Sequence, residues 1–307
     1  MKPRPQIPED VKWYIREIFA ECNRRVSTKL SHIPNLHETS LDHSFIEHFT
    51  NYCRPIQTPS DWTVRFDCHF IGGGRHYMRW EVADFGILVV FRYKGEVWLS
   101  KVTLLQSKRL FAKEFDGIES NPLDVDLGFN FLFMNVERWR KMAESRDFRF
   151  DDASLYRSLE IGDTQYVNIE KYEQRHKLNV HYLLYNPLSV PHEKSFPIME
   201  PEVDGENIVG CRVVPSKSLR AMVAELKIER PPSFGEISTK LREPFDKANA
   251  QCGWRLEDYI VDELLACKDG LIDESAQYDH LMHIFSQKSQ PIHAALVITF
   301  DMATAPT

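Results

Sequence analysis

The chain has 307 residues, 43% hydrophobic and 27% charged, with 17 Pro and 13 Gly. This is ordinary globular composition, with room for one large domain or two small ones. No apolar run approaches the roughly eighteen residues of a transmembrane helix, which excludes such a span, and the opening MKPRPQIPEDVKWY lacks the apolar stretch of a signal peptide, so a cytoplasmic location is expected. The net charge of −7, from 45 acidic and 38 basic residues, speaks against a stand-alone, non-specific DNA binder, which would be basic overall.

In chain order, residues 1–8 are Pro-rich and expected to be loose. From Glu9 to about Lys29, the apolar positions Val11, Ile15, Ile18, Phe19, Cys22 and Val26 recur at helical spacing. A second helix is expected over LHETSLDHSFIEHFTNYC, capped by Thr39 or Ser40, with Leu41, Phe45, Ile46 and Phe49 as its apolar stripe. Asp61–Phe70 alternates apolar and polar residues like a half-buried strand. Gly72–Gly74 follow as a plain turn without the spacing of a P-loop or a dinucleotide fingerprint.

The next stretch is the most informative. Val82–Arg92 and Val97–Ser107 are β-rich runs joined near Lys94-Gly95, the pattern of an antiparallel hairpin. Asp84 lies early in the first run; Gln106 and Lys108 close the second, two residues apart and therefore on one face. Singly, each has an ordinary explanation as a strand cap, a carbonyl partner or a lysine reaching out from a sheet edge. Together, buried polar groups of these types are costly unless they serve one another or a metal. A carboxylate and an amide oxygen are hard ligands suited to Mg²⁺, and a neighbouring lysine can orient water or stabilise charge on a phosphate. Glu81, three residues before Asp84, joins them only if the strand starts or bulges between the two. Lys101, Lys108, Arg109 and Lys113 form a candidate local groove for phosphate.

Beyond the hairpin, Phe111–Asn121 reads as a loop and Phe129–Glu144 as a helix. A further helix carries Tyr166, Ile169 and Tyr172 and feeds a strand at Val180–Tyr185. Ser189–Glu206 reads as an exposed connection rich in Pro and acidic residues. A strand follows at Ile208–Val214, then helices around Ser218–Ile228, Phe234–Ala250, Leu256–Cys267 and Gln277–Gln287, and a last strand at Ala294–Phe300 that can return to the main sheet. Cys22, Cys53, Cys68, Cys211, Cys252 and Cys267 form no CxxC pair and read as reduced thiols, and His280 and His283 as a solvated helix face rather than a metal site. No nucleophile elbow, HExxH or kinase signature occurs in the C-terminal third.

The set Asp84…Gln106-Ser107-Lys108, flanked by WEVADFGILV and LLQSKRL, resembles the active-site signature of the PD-(D/E)XK, or restriction endonuclease-like, nucleases. More narrowly it is similar to the variant with Gln at the second acidic position, found in Mrr-type and related antiviral nucleases. The resemblance covers Glu38 to Pro187, about half of the chain. It implies an α/β fold: a restriction endonuclease-like core with a mixed central sheet flanked by helices, followed by a helix-rich C-terminal elaboration. The corresponding units are residues 1–35 as an N-terminal helical segment, 36–190 as the nuclease-like core, and 191–307 as an α/β elaboration packed on it. The resemblance implies a Mg²⁺- or Mn²⁺-dependent deoxyribonuclease acting in anti-phage defence. Asp84 and Gln106 would be metal ligands, Lys108 would orient water, and Glu38 would be a further ligand from the helix before the hairpin, with Asp42 one turn later as its substitute. Glu38 is equally well explained by its favourable place at a helix N-terminus. Gln165, at the head of the later helix, is a second-tier candidate, and backbone pairing explains it at least as well. The implied partners are DNA and a second copy or another protein of a defence complex, with no membrane. The alternative is a catalytically silent nuclease-like module that binds nucleic acid or scaffolds such a complex.

Overall fold

The first helix, α1 (Glu9–His32), follows directly from its pattern. Val11, Ile15, Ile18, Phe19, Cys22, Val26 and Leu30 lie on one face and are all buried. Glu9 and Asp10 in the first turn, and Lys29 and His32 in the last, suit the helix dipole. In the computed structural model, which describes residues 2–70, 82–114, 146–159, 164–196, 199–204, 209–228, 230–242, 253–273 and 292–306, α1 is followed by α2 (Glu38–Phe49). Phe45, Phe49 and Leu41 of α2 are buried, and rings pair across from Phe45 to Phe85 at 5.0 Å and from Phe49 to Phe66 at 5.6 Å. The entry to α1 is pinned rather than loose. Lys2 donates to the Trp98 carbonyl at 2.9 Å, Trp98 Nε1 to the Pro3 carbonyl at 3.0 Å, Arg4 to the Cys267 carbonyl at 3.0 Å, and Ile7 joins the core.

The strands are β1 (Ile56–Gln57), β2 (Thr63–Phe70), β3 (Ala83–Tyr93), β4 (Glu96–Arg109), β5 (Lys113–Glu114) and β6 (Arg146–Phe150). Then come α3 (Thr164–His176), β7 (Val180–Tyr185), β8 (His192–Phe196), β9 (Met199–Asp204), β10 (Arg212–Pro215), α4 (Ser216–Leu226) and α5 (Phe234–Arg242). The chain closes with β11 (Trp254–Arg255), α6 (Leu256–Asp258, continuing as a π-helix over Tyr259–Leu265), β12 (Leu271–Asp273) and β13 (Ile292–Met302). The β3–β4 hairpin turns at Lys94-Gly95, both at positive φ, 53° and 84°. A turn with both central residues left-handed matches the twist of the flanking strands, and glycine meets that demand without strain.

The protein is α/β, with a mixed central sheet flanked by helices. Among the described residues its nine strands run β1-β2-β13-β3-β4-β7-β10-β11, with β12 beside the first half of β4. The β13–β3 and β4–β7 pairs are parallel and the rest antiparallel. The last strand therefore lies inside the sheet, between β2 and β3. β5-β6-β8-β9 form a second, antiparallel sheet.

This second sheet corrects two expectations. Ser189–Glu206 is largely strand, and its His192 is buried with Nε2 at 3.2 Å from the Ser31 carbonyl oxygen. Phe111–Asn121 begins with the short strand β5; the remainder from 115, the helix expected over 129–144, Gly72–Gly74, Cys252, His280 and His283 lie outside the described residues. The other five cysteines are free thiols, and among the described residues no helix is long and apolar enough to cross a membrane.

Candidate functional site

The carboxyl end of β4 and the start of β3 meet the N-terminus of α2. Phe85 pairs with Leu105, which sets Asp84 across from Gln106 one step further along the hairpin. Gln106 Nε2 donates to Asp84 Oδ2, and the same oxygen accepts the Ser107 backbone N–H at 2.7 Å and the Ser107 hydroxyl at 2.8 Å. The other end of the Gln106 amide, Oε1, is buried with no hydrogen-bond partner. An orphaned buried acceptor costs about 1–3 kcal/mol, so this atom marks a place where a donor or a cation would be stabilising.

Lys108, two residues on, is buried, with Nζ 3.5 Å from Glu38 Oε1. Glu38 Oε2 accepts the Arg109 backbone N–H at 3.0 Å and the Ser158 hydroxyl at 3.1 Å. Glu38 is therefore committed to holding the end of β4 and to positioning Lys108. One helical turn later, Asp42 is buried and accepts the Tyr185 hydroxyl at 2.9 Å. Spacing of i, i+4 puts the two carboxylates on one side of α2.

Glu38 and Asp42 hold their protons unusually tightly. Burial raises the pKa of Glu38; Asp84 reinforces this and Lys108 opposes it. Asp42 is pushed well above its ordinary range, first by burial and then by Asp84 and Glu38, against hydrogen bonds from Ser107 and Tyr185. Tyr185 is raised well above the usual phenol range, again by burial first and then by Asp42. The three acids and Lys108 thus form one electrostatic unit.

The structure brings Asp84, Gln106, Lys108 and Glu38 together. It does not do so for Gln165, the second residue of α3, which takes part in none of these contacts; Glu81 lies outside the described residues. The expected phosphate groove is not one. Lys101 is fully buried, its ammonium 2.5 Å from both the Leu264 and Asp269 carbonyl oxygens. Arg109 is buried, donates to the Pro34 and Leu36 carbonyls and lies over the Phe111 ring at 3.7 Å. Lys113 sits 3.6 Å from Asp151. Strand alternation alone could not separate these basic residues, because the groups that neutralise them come from distant parts of the chain.

Among the described residues no three His, Cys, Asp or Glu side chains cluster as a metal cage. A cation here would need the amide oxygen as a donor. The two orientations of a Gln amide fill the same volume; reversing that of Gln106 would bring Oε1 to Asp84 Oδ2, and two oxygens so close need a metal cation or a proton between them. As placed, Asp84 Oδ2 accepts three N–H and O–H donors, so a divalent ion at Asp84 and Gln106 requires that reversal. Ser107, Ser158 and Tyr185 were not singled out from the sequence: serine and tyrosine at strand ends and in turns carry no pattern of their own. Compared with protein-family models, curated proteins and solved structures, the chain matches none.

Proposed function

We propose that the chain is a metal-dependent DNA endonuclease that hydrolyses phosphodiester bonds, as an effector of bacterial anti-phage defence. The observation that carries this reading is the meeting of Asp84, Gln106, Lys108 and Glu38 at one end of the β3–β4 hairpin, with a buried, unpartnered amide oxygen among them. When bound at Asp84 and Gln106, Mg²⁺ or Mn²⁺ supplies a Lewis acid for the phosphoryl oxygen and a water of lowered pKa. Glu38 fixes Lys108, whose ammonium orients the attacking water and stabilises negative charge accumulating on the phosphate. Ser107 holds the Asp84 carboxylate in place through two hydrogen bonds.

With Lys101 and Arg109 used internally, the chain has less free positive charge near the site than its sequence offers. At a net charge of −7 a polyanion is repelled at long range, which is why self-association or a partner protein belongs to this proposal. A second reading, a silent nuclease-like module in such a complex, is favoured by the Gln106 amide turning its NH₂ to Asp84. Incubating plasmid with the full chain and Mg²⁺ or Mn²⁺ separates the two: the enzyme nicks it and Lys108→Ala does not, whereas the silent module nicks it in neither form.

A further inference from the structure

A pair of thiols lies at the other end of α2, away from Glu38. Cys53 follows the short 3₁₀ turn Thr50–Tyr52 that extends the helix, and Cys68 lies on β2. Both are anchored on the last turn of α2: Cys53 Sγ donates to the Phe49 carbonyl at 3.7 Å and Cys68 Sγ to the Ile46 carbonyl at 3.6 Å. Those carbonyls are three residues apart on one helix and so about 5 Å from each other. The flanking rings close the same gap. Tyr52, just before Cys53, packs on Phe66 at 6.0 Å, and Phe66 shares its face of β2 with Cys68. The Cys53 side chain is itself a hydrogen-bonding neighbour of the Cys68 thiol.

We propose that Cys53 and Cys68 are a site of reversible oxidation, closed by peroxide into an intrachain disulfide that ties the end of α2 to β2. This goes beyond the endonuclease reading and does not depend on it. Exposure sets the order of events. Cys53 is exposed and Cys68 half-buried, whereas Cys22, Cys211 and Cys267 are buried away from a dissolved oxidant. The Cys53 sulfur attacks one peroxide oxygen, the O–O bond breaks, and water leaves with the thiol's proton, giving a sulfenic acid. The Cys68 sulfur then attacks the Cys53 sulfur, the S–O bond breaks, and a second water carries off the Cys68 proton. Two thiols are oxidised and one peroxide is reduced to two waters. Burial first, and then Cys53, push the Cys68 thiol up to about 12. That keeps it slow towards peroxide itself, so its part is to resolve a sulfenic acid held beside it. The closed ring spans β1 and pins α2, the helix whose first residue is Glu38, to the sheet.

The test uses the full chain, reduced and then exposed to hydrogen peroxide. Remaining thiols are alkylated in denaturant and the peptides mapped by mass spectrometry. The wild type should lose two of its six alkylatable thiols to one Cys53–Cys68 linked peptide. Its thermal midpoint should rise by about 5 °C, and dithiothreitol should undo both changes. Cys53→Ser should form no intrachain link and show no rise. Cys68→Ser should instead accumulate a sulfenic acid at Cys53 that dimedone captures. Wild-type protein that keeps all its alkylatable thiols, joins other cysteines, or links two chains through Cys53 overturns the proposal. A dimedone adduct on any other cysteine of Cys68→Ser, with none on Cys53, overturns it too.

Discussion

One strand, β4, carries two buried lysines seven residues apart, and their surroundings are opposite in kind. Lys101 is sealed: its ammonium caps the carbonyls of Leu264 and Asp269, which end the π-helical turn and its following loop. Around it, His181 Nε2 lies 2.6 Å from Asp269 Oδ2, Tyr259 donates to the same carboxylate at 3.2 Å, and the Thr103 and Tyr259 hydroxyls are 2.8 Å apart. Burial alone would raise the Asp269 pKa, but the His181 hydrogen bond and charge outweigh it and hold it well below the usual carboxylate range. Lys108 faces the Glu38 carboxylate instead, and burial raises the pKa of Glu38 and of its neighbour Asp42. A carboxylate of depressed pKa stabilises the fold at neutral pH; one of raised pKa is a stability cost there. The same residue type, buried on the same strand, is structural in one place and a candidate functional group in the other, and the difference lies wholly in its partners.

The contrast can be broken at several points. The largest effect is expected from Lys101→Ala, which strips the buried ammonium from the Asp269 carbonyl and leaves the Leu264 carbonyl with the Cys267 N–H alone; it should cost about 3 kcal/mol, read as a lower denaturant midpoint. Lys108→Ala should cost about 1 kcal/mol or less, because Glu38 can take up a proton when its partner goes; equal losses in the two variants would erase the distinction. Gln106→Glu adds a carboxylate beside Asp84. It should strengthen Mn²⁺ binding and keep partial cleavage, while a folded variant with weakened binding would show that the amide NH₂ is what matters. A subtler effect comes from pH. The raised Asp42 carboxyl stays protonated in the folded chain after the unfolded one ionises near its ordinary 3.8. The native state then binds more protons, so stability falls as pH rises from that value towards the folded pKa. Asp42→Asn should flatten this fall and gain stability at neutral pH, checked by thermal melts across pH. The Asp269 contribution has the other sign: it is present above the unfolded pKa and lost as pH falls, so Asp269→Asn should lose stability at neutral pH. The smallest expected effect is of salt. Cleavage should rise as ionic strength is lowered and as protein concentration is raised, since attraction to the remaining positive charge is then less screened.

How far the sequence carried this picture depended on range. The hairpin, α1, α2 and β7 were legible because periodicity, turn residues and apolar stripes are local signals; Lys94-Gly95 marks its turn unaided. Asp84, Gln106 and Lys108 were legible for the same reason, lying on two strands joined by one turn. What was not legible is non-local. β13 starts more than two hundred residues after its parallel partner β3, and no pattern in ITF-like apolar runs announces which strand they will join. Ser189–Glu206 has few of the β-branched and aromatic residues that signal strands, yet β8 pairs with β6, a partner over forty residues upstream. Lys101 and Arg109 were misplaced in a phosphate groove because their neutralising carbonyls belong to residues 264, 269, 34 and 36. Asp42 was visible only as a neighbour of Glu38 on the helix; its coupling to Tyr185 required the parallel pairing of β7 with β4.

The most direct test of the account is metal-dependent nicking of supercoiled plasmid by the purified full chain at low ionic strength, beside Lys108→Ala. Open-circular product is expected with Mg²⁺ or Mn²⁺, none with chelator, and a loss of at least about a hundredfold in the variant while its thermal midpoint stays within a few degrees. A folded Lys108→Ala protein that nicks at the wild-type rate would contradict it.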